Sequence, residues 1–145
     1  MSMTNGFETK MLSLLFNNSA AGNVGDAAGL PASVGAGSFY VSLHTAALAD
    51  TDAVQTASEC AYTGPYARVA VPRSAGGWTV AGSTVDNTAL ITFPAATSSE
   101  NVTDFGIGFA ASGAGELQFY GTSALAVSNG ITPQFAIGAL NITLD

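Results

Sequence analysis

The chain has 145 residues, enough for one domain with its own core, and 48% of them are apolar while only 9% are charged, against about 25% charged in an average soluble domain. Three Lys and Arg against ten Asp and Glu give a formal net charge of −7, which excludes the clustered cationic surface that a nucleic-acid backbone or an anionic membrane requires of a partner. The single cysteine, Cys60, excludes an intrachain disulfide and a paired-cysteine metal site, and reads as a small buried hydrophobe.

A surface made of Gly, Ala, Ser, Thr and Asn instead of Lys and Glu solvates weakly, which suits a chain that works packed against neighbours. An assembly component is therefore expected. Glu8 and Lys10 interrupt the start of the chain before any secretory apolar run forms, and no window approaches the ~18 apolar residues of a membrane span. The expectation is a protein made in the cytoplasm and used without signal-peptide export.

In chain order, Thr4 to Asn18 reads as a helix. Asn5 followed by Glu8 resembles a capping box, and Phe7, Met11, Leu14 and Leu15 fall on one apolar stripe. Leu12 and Phe16 lie off that stripe, so the helix is expected both to cover its own sheet and to touch a second subunit. Asn17-Asn18-Ser19 stops it. Residues 20–37 have few large side chains and read as a long surface loop, with Leu30 and Pro31 as its apolar contacts to a neighbour. Ser38 to His44 alternates as a strand, with Phe39, Val41 and Leu43 on one face and Tyr40, Ser42 and His44 on the other. Residues 45–61 form an acidic loop.

The stretch from Tyr62 to Val80 is read as the centre of the core. A turn at Gly64-Pro65 leads into an alternating run in which Val69 and Val71 face inward. A second turn, Ser74 to Gly77, delivers the only tryptophan, Trp78, as the anchor of a paired strand. Short β runs follow at 83–89, 89–93, 102–109, 116–121, 125–127, 131–135 and 140–144, with a break over 94–100. Pro133 marks its run as an edge or a bulge. One helix and many short strands at spacings near 8–12 residues predict an all-β fold, an antiparallel β-sandwich or jelly roll with one N-terminal amphipathic helix. Residues 1–145 are read as a single domain: helix 1–18, loop 20–37, sandwich 38–145.

Catalytic chemistry finds little support. His44 is the only histidine, no G-x-S-x-G elbow accompanies it, and a hydrogen-bonded strand histidine is the expected reading. Asp50 and Asp52 suggest a calcium loop, but Gln55 and Ala61 stand where that loop needs Gly and Glu. An ion held loosely by Asp50, Asp52 and Glu59 is kept as an alternative to a solvated acidic loop. Gly106-Ile107-Gly108 and Gly113-Ala114-Gly115 lack the continuation of a phosphate loop and are read as bulges and turns. Glu100, Asp104 and Glu116 lack the aromatic platform of a glycosidase. No catalytic, cofactor or metal residue is assigned.

The ordered segments NGFETKMLSLLFNN, FYVSLHTA, AYTGPYARVAV, RSAGGWTV, NTALITFPAAT, VTDFGIGFAASGAGELQFYG and LAVSNGITPQFAIGALNITLD resemble a family of small virion proteins of tailed bacteriophages, labelled tail fibre protein or capsid cement protein. Pro65 between Gly64 and Tyr66 departs from that pattern. The resemblance implies a non-enzymatic β-sandwich that binds capsomers or belongs to a tail appendage. Because 145 residues hold neither shaft repeats nor heptads, the expected function is capsid cement. A dimer or trimer would bind the major capsid protein on the head exterior through Phe7, Met11, Leu12, Phe16, Leu30 and Pro31. The alternative is a tail fibre or baseplate component in host attachment.

Overall fold

The computed structural model describes residues 2–62 and 64–144; Met1, Thr63 and Asp145 lie outside the described residues, and with them the two ends of the 1–145 reading. The elements are α1 (Asn5–Asn17), β1 (Ser38–His44), β2 (Val69–Pro72), β3 (Trp78–Ala81), β4 (Thr84–Asn87) and β5 (Ile91–Thr92), followed by β6 (Glu100–Asn101), β7 (Asp104–Gly108), β8 (Leu117–Thr122), β9 (Ala126–Val127), β10 (Gln134–Phe135) and β11 (Asn141–Thr143). The fold is all-β and antiparallel with one N-terminal helix, in keeping with a β-sandwich. Two compact units are built from interleaved segments. Unit 1 comprises Met1–Ser38, Pro72–Leu90 and Ala136–Asp145; unit 2 comprises Phe39–Val71 and Ile91–Phe135.

In unit 1, α1 packs on the sheet β11-β4-β3. The helix starts one residue earlier than a cap at Asn5 would allow. Thr4 is the N-cap, its carbonyl accepting from the N–H groups of Phe7 (2.8 Å) and Glu8 (3.0 Å), and Asn5 is already helical. The Asn5/Glu8 capping box is therefore not formed. At the other end Asn18 turns left-handed (φ 50°), so that its own N–H and that of Ser19 both reach the Ser13 carbonyl.

The face that α1 buries also differs from the expected one. Glu8, Leu12 and Phe16 are the buried positions, Phe7 is exposed, and Met11, Leu14 and Leu15 are half-buried. Two apolar rows run along this helix, and composition alone does not rank them. The packed row is the one that brings Phe16 edge-on to Trp78, with ring centroids 5.0 Å apart. Trp78 and Phe16 are both 0% exposed and lie with Leu12, Ala21, Val85 and Leu140 in the core of this unit.

Two polar residues hold unit 1 together. Arg73 donates to the carbonyls of Leu14 (2.9 Å) and Leu15 (2.5 Å) in the last turn of α1, and to Ala36 (3.1 Å). A fixed cation there satisfies carbonyls that the helix cannot satisfy itself and complements its negative end. Arg73→Met is expected to cost about 1.5–3 kcal/mol, the range for hydrogen bonds to a charged group; chemical denaturation showing no loss would mean that water replaces the guanidinium without penalty. Asn87, 1% exposed, donates to the carbonyls of Ala89 and Ala136 (both 2.8 Å) and accepts from Leu140 N–H at 2.9 Å. It thereby sets the turn that feeds β11 onto β4, in the register Asn141↔Asp86 to Thr143↔Thr84. The terminal strand pairs within its own chain.

The loop 20–37 is tied down by polar groups, since it has few apolar ones. Ala21 and Leu30 form an antiparallel bridge, Lys10 donates to Gly22 O at 2.9 Å, and the Asn18 side chain both donates to and accepts from the Ser33 backbone.

Unit 2 contains the four-stranded sheet β2-β1-β7-β8 and two short pairs, β10-β5 and β6-β9. Strand β1 runs over the residues the alternation predicts and pairs with β7 from Tyr40↔Gly108 to His44↔Asp104. Beneath it Phe105 meets Phe135, Phe135 meets Phe93, and Tyr66 stacks on Phe93. These edge and offset contacts are the geometries aromatic rings favour.

Two sequence expectations fail here. The run from Ala67 and the run from Trp78 do not form a strand pair: β2 joins β1, whereas β3 joins β4. The turn Ser74 to Gly77 forms, with Gly77 and Trp78 N–H groups both reaching Ser74 O at 2.9 Å, but it joins strands of different sheets. The break over 94–100 also ends early, because Glu100 and Asn101 form β6 against β9. Pro133 lies just outside β10, offering its carbonyl to Phe93 N–H at 3.0 Å.

Candidate functional site

The chemically richest part of the molecule surrounds β1 in unit 2. From Val41 to His44 every residue of this strand is buried. One face does so because Phe39, Val41 and Leu43 enter the apolar core. The other does so because the acidic loop after β1 folds back over Ser42 and His44. Gln55, 0% exposed, pins that loop: it donates to Tyr40 O (3.1 Å) and accepts from Ala110 N–H (3.1 Å), and its own N–H reaches Gly115 O at 2.7 Å.

Glycines make the room. A Cβ on Gly106 would stand 2.6 Å from His44 Nε2 and 2.8 Å from Ser42 Oγ, and one on Gly108 would stand 2.3 Å from both the Glu116 carbonyl oxygen and Gln55 Cδ. The register shift between Ile107 and Gly108 marks a β-bulge at the same place. The Gly-Ile-Gly run is thus explained by close packing and a bulge.

His44 and Ser42 have the atoms of a nucleophile and base but no access for a substrate. Both are 0% exposed. The Ala57 carbonyl, 2.7 Å from Nδ1, can only accept, so Nδ1 carries the proton and Nε2 accepts from the Ser42 hydroxyl at 2.8 Å. Burial holds the imidazole pKa below its ordinary 6.5, against an opposing hydrogen bond to Ala57. The pH consequence has a definite sign. The unfolded chain takes up a proton on His44 as pH falls below about 6.5 while the folded chain resists it, so stability decreases by up to about 1.4 kcal/mol per pH unit from this group. Denaturant unfolding of wild type and His44→Gln, compared at neutral and mildly acidic pH, reads this directly; wild type is expected to show the extra acid sensitivity.

Beside this strand runs a groove of about 540 Å³ whose walls include Glu59, Cys60, Tyr66, Arg68 and Ser112. Arg68 and Glu59 form a bidentate pair, Nε to Oε1 and Nη2 to Oε2, each at 2.7 Å; the side chains are 2% and 15% exposed. The guanidinium also donates to the carbonyls of Ala110 (2.9 Å) and Gly113 (2.7 Å). It therefore ties two loops together, and the hydrogen bonds to Glu59 raise its pKa further.

Cys60 donates its S–H to Glu100 at 2.7 Å. Burial and that carboxylate push the thiol up to about 12, so it stays protonated and unreactive at neutral pH. Burial likewise pushes the Tyr62 phenol up to about 12, where it donates to Pro94 O at 2.9 Å. Burial also raises Tyr66, whose oxygen accepts from Leu43 N–H at 2.9 Å.

The carboxylates considered for an ion are dispersed among other partners. Glu59 is paired with Arg68, Asp50 accepts from the Tyr120 hydroxyl at 2.6 Å, and Asp52 accepts from Ala49 N–H at 2.8 Å. Among the described residues no three His, Cys, Asp or Glu side chains come together as a metal site. Asp104, 3% exposed, accepts from Leu48 N–H at 3.2 Å, and Glu100 holds Cys60.

The side chains considered for a partner surface divide. Phe7 (36%) and Leu30 (40%) are exposed, as is Pro31, and Met11 is half-buried. Leu12 and Phe16 are wholly enclosed in unit 1 and are removed from any such surface, because their apolar area is already covered by the unit itself. Of the expected core anchors, Trp78 and Val71 are buried and Val69 is half-buried. Gln55, Asn87 and the Arg68–Glu59 pair were not legible as site or core residues. The available signal is Arg68 itself, a cation just before β2 in a chain with only two others.

This is a chain of structural polar networks and covered side chains, and among the described residues no helix is long and apolar enough to cross a membrane. The chain belongs to the family described as podophage GP4 fiber I protein gp80, whose model matches residues 2–143. That membership makes it a bacteriophage virion structural protein. No curated protein matches it.

Proposed function

We propose that this protein is a structural component of a podophage tail fibre, contributing to the appendage that carries host attachment. The observation that carries this reading is the family match over residues 2–143. It favours the fibre alternative over capsid cement, which rests on length and the lack of shaft repeats.

The structure supports a scaffolding role in kind. The conspicuous polar clusters, Ser42–His44, Arg68–Glu59 and Cys60–Glu100, are closed hydrogen-bonded sets that brace loops. The charge-poor exterior suits packing against neighbouring virion proteins. On this reading the partners are other copies of the chain and adjoining appendage proteins; the major shell protein is a partner only on the cement reading. Copy number in purified particles is the test, because an appendage holds far fewer subunits than a decorated shell.

A further inference from the structure

We infer that the groove of about 540 Å³ beside β1 is a binding site for a neutral glycan, which it holds through one sugar ring. Its size lies within the ~300–1,000 Å³ of small-molecule sites. A role in gripping the host surface rests on the fibre reading; the site itself rests on the chemistry of its walls.

Those walls decide the charge of the ligand. A guanidinium has five N–H groups, and Arg68 has four of them engaged, two by Glu59 and one each by the carbonyls of Ala110 and Gly113. No two-pronged donor is left for a phosphate or carboxylate, and such a ligand would also face Glu59. A cation would meet a carboxylate whose charge Arg68 already balances at 2.7 Å. An apolar ligand would strip water from Glu59 and from the hydroxyls of Thr56 and Ser112 and give nothing back.

A neutral ligand carrying several hydroxyls suits every wall. Thr56 and Ser112 are exposed, and among the described residues their hydroxyls bond to no protein group, so both are open to donate and to accept. Glu59, its side chain 15% exposed, keeps acceptor positions beyond the two that Arg68 fills. Tyr66 is half-buried, held edge-on to Tyr62 at 5.2 Å, and its hydroxyl is turned to Leu43 N–H. Its fixed ring and Ala67 therefore offer carbon surface, against which the C–H face of a sugar can lie. Glu59 is the one carboxylate among the described lining residues, and glycoside hydrolysis uses a pair. The groove holds a glycan without cutting it.

The test titrates the isotope-labelled full chain with the methyl glycosides of glucose, galactose, mannose, rhamnose and N-acetylglucosamine, and with glucose 6-phosphate, each to about 50 mM. At least one neutral glycoside is expected to shift the Ala67, Ser112 and Gly113 amides with a dissociation constant on the order of 1 mM, which about a dozen ligand atoms support. Glucose 6-phosphate should leave them unmoved. Ala67→Leu, which narrows the groove, and the double variant Thr56→Val with Ser112→Ala, which removes its open hydroxyls, should each weaken binding tenfold or more with melting temperatures near wild type. No shift from any neutral glycoside, shifts elsewhere, equal binding of the phosphate, or undiminished binding by both variants would overturn the inference. If one variant unfolds, the other and the phosphate comparison decide it. Because the titration uses the isolated chain, its failure leaves the copy-number test of the fibre reading untouched, and failure of that reading leaves a measured affinity standing.

Discussion

Trp78→Ala is expected to cost about 3–5 kcal/mol, the range for emptying a buried aromatic site. The residue is 0% exposed, starts β3, and receives Phe16 edge-on at 5.0 Å. Its loss opens the space between α1 and its sheet at the point that selects which row of the helix is buried. Unit 1 has few other large core side chains to collapse inward. A melting temperature lowered by roughly 10 °C or more follows for a chain of this size. A near-neutral result would mean that α1 does not depend on the tryptophan for its packing.

Glu59→Gln should be of similar size, about 3–5 kcal/mol, for a different reason. It leaves the Arg68 guanidinium, 2% exposed, without its carboxylate in a site that water scarcely reaches, and an uncompensated buried charge is what makes breaking such a pair costly. The double variant Glu59→Gln with Arg68→Met should recover part of the loss, since it removes both the charge and its partner together. If the single variant loses less than about 1 kcal/mol, the pair behaves as an exposed ion pair and does not bind the two loops.

Much of the local structure could be read from the sequence because it is written in local chemistry. Ser38 to His44 alternates without interruption, and the strand takes those bounds. The Ser74 to Gly77 turn and the helix stop at Asn17-Asn18-Ser19 follow from backbone preferences of single residues, whereas Pro133, read as part of an edge or bulged strand, lies just before β10. What could not be read is set by distant partners. Nothing near Trp78 says that its strand joins β4 and not β2. Nothing in α1 says that Glu8, Leu12 and Phe16 form the inner row, because Glu8 interrupts the apolar pattern there. The acidic loop reads as solvated in the sequence, whereas Gln55 is bonded to Tyr40 O and Ala110 N–H, 15 and 55 residues away, and Glu59 is paired with Arg68 on the far side of the Gly64-Pro65 turn. The glycines at 106 and 108 are legible as irregular positions, but only the packed structure shows that His44, Ser42 and Gln55 occupy the space their missing side chains leave.

The fibre reading is tested most directly by counting this chain against the major shell protein in purified virions. A small fraction of the shell copy number, recovered with the tail when heads and tails are separated, is the predicted result. A copy number approaching one per shell subunit, or a simple fraction of it recovered with the heads, would contradict the fibre assignment and return the protein to the capsid exterior.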